Sequence, residues 1–148
     1  MRSQHVMILT RAVVFNEADE VLVQHEPASE NDFYRLPGGK VEFREKLEDG
    51  VVREIEEETG LKAKVIRLLW VRDFLGHLIE HSIEFFFLAT IVGGSPEEKT
   101  RAGQAFLFMR LEEIEKTVFY PKVIVPRLNL LRKDRDWAGT NPYIRSAN

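Results

Sequence analysis

The spacing of apolar residues changes along the chain, and each change predicts an element. Two short apolar or β-branched runs, Arg11–Phe15 and Val21–His25, flank the polar stretch Asn16–Glu20 and predict a β-hairpin. Glu26–Asp32 is a polar loop, Phe33–Leu36 a strand, and Pro37-Gly38-Gly39 a turn that ends it. The period then lengthens to four. Leu47, Val51 and Ile55 form a stripe on a helix expected over Lys46–Thr59, stopped by Gly60 as a left-handed cap with apolar Leu61 behind it. Ala63–Phe74 alternates loosely and reads as a strand. Leu75-Gly76-His77 turns it into the long apolar run Ile83–Val92, which Gly93-Gly94-Ser95-Pro96 closes. A further strand is expected over Ala105–Leu111, a short turn or helical segment over Glu112–Lys116, and a final helix over Val123–Arg132, with Pro121 near its start and Pro126 early within it. The tail Lys133–Asn148 is expected to be peripheral, with Trp137 and Tyr143 as the residues able to pin it. The order of strands, helix, strands and helix predicts one α+β domain over residues 1–148, with a core at about 5–132, built around one sheet.

Composition narrows the function classes. At 148 residues the chain is long enough for one domain with its own core. It has no cysteine, which excludes a disulfide scaffold, a thiolate zinc site and a cysteine nucleophile, and suits a reducing cytoplasm, the expected location. The apolar run in MRSQHVMILTRAVVF is too short for a signal peptide, and no stretch approaches the ~18 apolar residues of a membrane span. A net charge of −3 does not predict general attraction to nucleic acid.

The charge is concentrated. Glu42–Glu58 holds eight acids (Glu42, Glu45, Glu48, Asp49, Glu54, Glu56, Glu57, Glu58) and three bases (Arg44, Lys46, Arg53), so this segment is −5 and the remainder is +2. At 100° per residue, Glu54, Glu57 and Glu58 share one arc beside the Leu47/Val51/Ile55 stripe, whereas Glu56 points away. Like charges at this spacing cost a few tenths of a kcal/mol per pair. Acids in the last turn oppose the helix dipole at roughly 0.3–1 kcal/mol each, and Gly50 inside the helix costs up to ~1 kcal/mol more. A divalent cation reverses the sign of the first two terms; a solvated acidic face, with Lys46 and Arg53 as partial counter-ions, is the plainer alternative from the helix alone.

The wider spacing decides between them. Gly39, Glu45 and then Arg53-Glu54-Ile55-Glu56-Glu57-Glu58-Thr59-Gly60-Leu61 follow G-x5-E-x7-R-E-U-x-E-E-x-G-U, with U a bulky aliphatic residue: nine specified positions over 23 residues. This resembles the Nudix box, and the flanking Leu36-Pro37-Gly38-Gly39 and Val41-Glu42 are also similar to that family. The resemblance implies the Nudix fold, an α/β/α sandwich-like mixed β-sheet between helices with a loop–helix–loop catalytic motif. It implies hydrolysis of a pyrophosphate bond in a nucleoside diphosphate linked to another moiety, with Mg2+ or alternatively Mn2+ as cofactor. By similarity Glu54, Glu57 and Glu58 are the metal ligands, with the Gly38 carbonyl a further candidate, while Arg53 pairs with Glu45 to hold the loop against the helix. Glu54 is the first choice of general base. A small-molecule nucleotide is the implied partner, nucleic acid and membrane are not expected, and a homodimer is common in the family. Lys46, where Ser or Thr often caps, and Gly50, where Ala is usual, depart from family habit and are expected to weaken the helix slightly.

A carboxylate ligand from outside the box is also expected. Glu84 in His81-Ser82-Ile83-Glu84-Phe85 is one candidate, against the alternative that it occupies the wet face of an alternating strand; Glu97 and Glu98 are others. His81, Arg11, Arg35 and Arg72 are weighed as phosphate contacts, and Phe33, Tyr34, Trp70 and Tyr120 as base-stacking residues, but exposed charges and core aromatics are the commoner occupations of such positions. The other classes weighed are a non-catalytic Nudix-fold nucleotide-binding module, which typically loses box glutamates that this chain keeps, and action on a nucleic-acid 5′ end. The isomerase branch of the fold uses a cysteine, which is missing here. Motifs associated with ADP-ribose, NADH, coenzyme A or diadenosine polyphosphate specificity are not evident after Leu61, leaving a nucleoside triphosphate or nucleotide sugar open.

Overall fold

The structure is a computed structural model that describes residues 4–27, 31–76, 80–95, 105–137, 139 and 141–145. Nine strands and three helices alternate among these residues: β1 (Met7–Val14), β2 (Val21–Glu26), β3 (Phe33–Arg35), β4 (Gly38–Lys40), α1 (Leu47–Thr59), β5 (Leu61–Leu75), β6 (His81–Gly94), β7 (Ala105–Met109), α2 (Leu111–Ile114), β8 (Phe119–Tyr120), α3 (Ile124–Lys133) and β9 (Tyr143–Ile144). They form two mixed sheets rather than one, in the orders β4-β1-β6-β5-β9 and β7-β2-β3-β8.

The five-stranded sheet is covered on both faces, which is why its central strands read as apolar runs without clean alternation. Ala12, Val14, Phe87 and Ala89 join Val51 and Ile55 of α1 in one core. Their neighbours Val13, Phe86 and Leu88 point the other way, into a second core with Trp70, Leu111, Ile114, Ile124, Leu128 and Leu131 of β5, α2 and α3. The sheet is thus sandwiched between helices, as the α+β reading requires. Pro126 is accommodated because it is the third residue of α3, where no intrahelical N–H bond is yet needed.

Three expectations are corrected. The polar turn exists, since the Asn16 side chain accepts the Ala18 and Glu20 amides at 3.0 and 2.9 Å. Its flanking strands nevertheless do not form a hairpin. They touch at a single bridge, Phe15 to Val21. β1 instead runs parallel to β6 from Met7/Ser82 to Val14/Ala89, because a strand apolar on both faces gains more at the centre of a covered sheet than at the edge of a ribbon. Gly38-Gly39, read as part of a turn, is ladder: β4 pairs antiparallel with β1, Arg11 opposite Gly38. The tail is not peripheral. Ile144 is buried in the second core, β9 runs parallel to β5, and Arg67 donates to the Trp137 carbonyl at 2.6 Å.

The loose alternation of β5 also has a structural cause. Its antiparallel register with β6 shifts at Lys62/Ala63, Val65/Arg67 and Leu68/Trp70, and the packed face changes along the strand: Leu61 and Ala63 belong to the first core, Leu69 and Trp70 to the second.

Candidate active site

Sequence places the acidic helix; packing decides what each acid meets. Val51 and Ile55 are fully buried against β1, β5 and β6, which fixes the rotation of α1. Gly60 ends it at φ 77°, donating its amide to Glu56 O. With this rotation Glu58 is 7% exposed and Glu54 is nearly as enclosed, while Glu56 faces solvent. Glu57 differs from the expectation of a shared screened face: its side chain is 50% exposed and marks the outer rim.

Glu58 stands close to Glu54 and to the backbone of Gly38. Burial, then the neighbouring Glu54 carboxylate, push the Glu58 carboxyl up to about 8. Its Oε2 atom is buried with no hydrogen-bond partner. The two glycines before the loop make this approach feasible. A Cβ on Gly38 would lie 1.9 Å from the Thr10 carbonyl, and one on Gly39 2.6 Å from the Glu54 carboxyl carbon.

Arg53 joins the loop to the helix. Its Nε and one terminal nitrogen donate to Glu45 at 2.7 and 2.9 Å, a two-pronged pairing that a lysine cannot reproduce. The second terminal nitrogen reaches Glu54 at 3.1 Å and Glu57 at 3.2 Å, and the guanidinium also bonds the Lys40 carbonyl at 3.2 Å. The Arg53 hydrogen bond holds the Glu45 carboxyl down at about 2, and the pairing in turn raises Arg53. Glu45 also accepts the Glu42 amide at 3.0 Å, closing the loop on itself. Gly50, an apparent defect of the helix, has a use here. A Cβ at that position would stand 3.0 Å from Glu45 Oε1, so the glycine leaves room for the carboxylate that Arg53 grips.

One guanidinium therefore faces Glu45, Glu54 and Glu57, with Glu58 alongside. That imbalance, an all-oxygen donor set and the unpaired buried Oε2 of Glu58 fit a hard divalent cation. Among the described residues no three acids stand as a ready-made cage; Arg53 and the Glu54–Glu58 contact hold the carboxylates in other directions.

Glu84 requires a correction. It is buried, not on a wet strand face, and its carboxylate is already neutralised by two guanidiniums: Arg11 Nε at 3.3 Å and Arg72. A carboxylate so paired is already engaged by two cations, so Glu84 would have to loosen one of these pairs to serve as a metal ligand. His81 lies beside Asp73, at 4.0 Å, and does not line the cleft described next; Glu97 and Glu98 fall outside the described residues.

That cleft, of about 240 Å³, is lined by Arg11, Arg35, Arg72, Phe33, Phe74 and Tyr120, with Glu80, Ser82 and Glu84 also on its wall. Phe33 and Tyr120 meet edge to face at 5.4 Å, and Arg72 lies over Phe74 at 4.5 Å. These arginines are not the ordinary surface charges expected, since Arg11 is 8% exposed. Trp70 is core and Tyr34 stacks on His25 at 4.8 Å, so of the four aromatics weighed only Phe33 and Tyr120 reach the cleft. A signal was present in the sequence. Arg11 interrupts MILTRAVVF much as Glu84 interrupts IEFFF, and the parallel register brings the two interruptions together.

An acid-rich loop–helix–loop beside an arginine-lined cleft, carried on mixed sheets between helices, sets the structural class to which the protein is to be compared. The NUDIX domain model matches residues 8–128, and the chain belongs to the Nudix family, as one of its hydrolases. An "ADP-ribose pyrophosphatase" of Methanocaldococcus jannaschii is 32% identical over 126 residues, covering 82% of this chain and 72% of that protein. The "8-oxo-dGDP phosphatase NUDT18" of Mus musculus is 31% identical over 124 residues, 83% of this chain but 35% of its own length. The chain thus spans about a third of that longer relative. A crystal structure of "UDP-X diphosphatase" superimposes with a TM-score of 0.71 at 21% identity, over 97% of this chain and 68% of that one, which establishes likeness of fold. No helix among the described residues is long and apolar enough to cross a membrane.

Proposed function

We propose that the protein is a metal-dependent hydrolase of a phosphoanhydride bond in a nucleoside diphosphate linked to another moiety. The observation that carries this reading is the buried Glu58 Oε2 with no partner, held against Glu54 beside a cationic cleft. Glu54, Glu57, Glu58 and the Gly38 carbonyl would hold Mg2+, with Mn2+ as an alternative. The bound ion would neutralise the diphosphate, orient its oxygens and lower the pKa of an attacking water.

The chain's own residues do the rest. Glu58 would give up its proton to solvent in holding the cation, and Glu54, through a carboxylate oxygen not engaged with the ion, would take the proton of the attacking water. Glu45 and Arg53 act as positioning residues: the doubly bonded pair keeps the loop closed on α1 and holds Glu54 and Glu57 near Glu58. Phe33 and Tyr120 offer an apolar wall for a nucleoside. The name of the archaeal relative makes ADP-ribose the first substrate to try, followed by 8-oxo-dGDP, nucleotide sugars and nucleoside triphosphates.

The test is a substrate panel with Mg2+ and with Mn2+, products read by mass, and the same panel with Glu57→Gln. Release of a nucleoside monophosphate or phosphate that disappears on chelation and in the variant is the expected result. A panel with no metal-dependent product overturns the proposal. Reaction in 18O-labelled water then identifies the phosphorus attacked.

A further inference from the structure

Three guanidiniums face one small cleft, and their pairing is unequal. Arg72 is neutralised by Glu84 and lies flat on Phe74. Arg11 shares that carboxylate through Nε, and one of its terminal nitrogens reaches the Leu36 carbonyl at a long 3.4 Å. Arg35 bonds Glu26 through a terminal nitrogen, but its Nε is buried with no hydrogen-bond partner. A buried, unsatisfied donor on a charged group is costly, and native proteins keep few of them without a use.

Arg35 is also poorly placed for its own charge. Burial, and after it the charge of Arg11, push its guanidinium pKa down, which marks the two cations as neighbours that repel. Arg11 lies opposite Gly38 in the β1–β4 ladder, and Arg35 is three residues before that glycine, so both sit next to the start of the acidic loop–helix–loop. Two closely set guanidiniums at the edge of an acid cluster, with a donor to spare, describe an anion site awaiting its anion.

We propose that Arg11 and Arg35 together form a phosphate-binding pair in the cleft, which takes a phosphate of the substrate. The proposal deepens the hydrolase reading and rests on it for the identity of the anion. Glu84, itself on the cleft wall, and Glu26 each engage one of the two arginines, and both arginines line the cleft that the phosphate would enter. Arg72, fully engaged, contributes the stacked wall rather than a grip. Binding by this pair needs no metal, because the counter-charge is supplied by the chain.

The experiment is titration of the full chain with inorganic pyrophosphate in EDTA, followed by calorimetry and by the 31P resonance. Wild type is expected to bind, with affinity falling as salt is raised. Arg35→Gln should weaken binding about tenfold or more, as loss of a charge-assisted hydrogen bond implies, and Arg35→Lys should restore part of it. Arg110→Gln, altering an exposed arginine paired with Glu113 outside the cleft, should bind as wild type. Arg11→Gln is expected to behave like Arg35→Gln; if burial makes that variant unfold, the Arg35 pair of variants decides alone. No binding to folded wild type, or equal binding by folded Arg35→Gln, overturns the proposal. Arginine-dependent pyrophosphate binding in a protein that turns over nothing with Mg2+ would keep the anion site and refute the hydrolase reading. Metal-dependent turnover with no effect of Arg35→Gln on binding would do the reverse.

Discussion

Replacing Glu58 by glutamine should change how stability depends on pH. The folded carboxyl is held up at about 8 from an ordinary value of 4.5, chiefly by burial. Between these two values the folded chain keeps a proton that the unfolded chain has released. Unfolding then sheds protons, so metal-free stability must fall as pH rises through this window. It is fully present below 4.5 and is lost as pH passes about 8. Each pH unit is worth at most about 1.4 kcal/mol, so the loss from pH 5 to 7 is of order 2 kcal/mol. For a chain of this size that lowers Tm by roughly 4–8 °C. Glu58→Gln keeps the side chain's shape beside Glu54 but cannot ionise, so its profile should be flat by comparison. Its Tm should exceed that of wild type near pH 7 in EDTA. Glu45 does not mask the effect: its carboxyl is depressed to about 2, so the stability it contributes is present above 4.5 and is lost only as pH falls toward 2. The assay is thermal unfolding of both proteins from pH 5 to 8 without metal. Parallel profiles would refute the claim that Glu58 is buried protonated. A second reading comes from Mg2+ titrations in buffers of different ionisation enthalpy: wild type at pH 7 should release a proton on binding, and the variant should not.

Three further outcomes follow from particular contacts. Glu84→Gln strands the Arg11 and Arg72 guanidiniums in a buried site and should cost ~3 kcal/mol by urea unfolding; a change below about 1 kcal/mol would show that the pair is hydrated. Gly50→Ala, which would stabilise an isolated helix by up to ~1 kcal/mol, should instead lower Tm and disturb the Glu45–Arg53 pair, because its methyl group meets Glu45 Oε1 at 3.0 Å; a higher Tm would mean that the carboxylate yields freely. Ile144→Ala should destabilise by ~2–5 kcal/mol, as expected of a core residue, and a neutral result would return the tail to the periphery.

Much of the acidic helix was legible in the chain itself. Leu47, Val51 and Ile55 set which face packs, the Gly60 cap sets where the helix stops, and the spacing of Gly39, Glu45, Arg53, Glu54, Glu57 and Glu58 marks the family. These are local features, decided by a period of 3.6 and by contacts within a few turns. Strand partners are another matter. The same apolar run in β1 suits a hairpin or the centre of a sheet, and nothing nearby in sequence says that residues 73 or more positions away will lie beside it. Glu84 shows the consequence: an acid in an apolar strand announces a buried partner, but whether that partner is a metal or an arginine depends on which strand comes alongside. The cleft has the same origin, since Arg11, Arg35, Arg72, Phe33 and Tyr120 come from four separate strands. Sequence by itself determined the acid cluster, because helical neighbours are fixed by chain geometry. Only the tertiary structure decided which acids are buried, which are paired with arginine and what faces them, because burial and long-range pairing set the energy of a charge and neither is a local property.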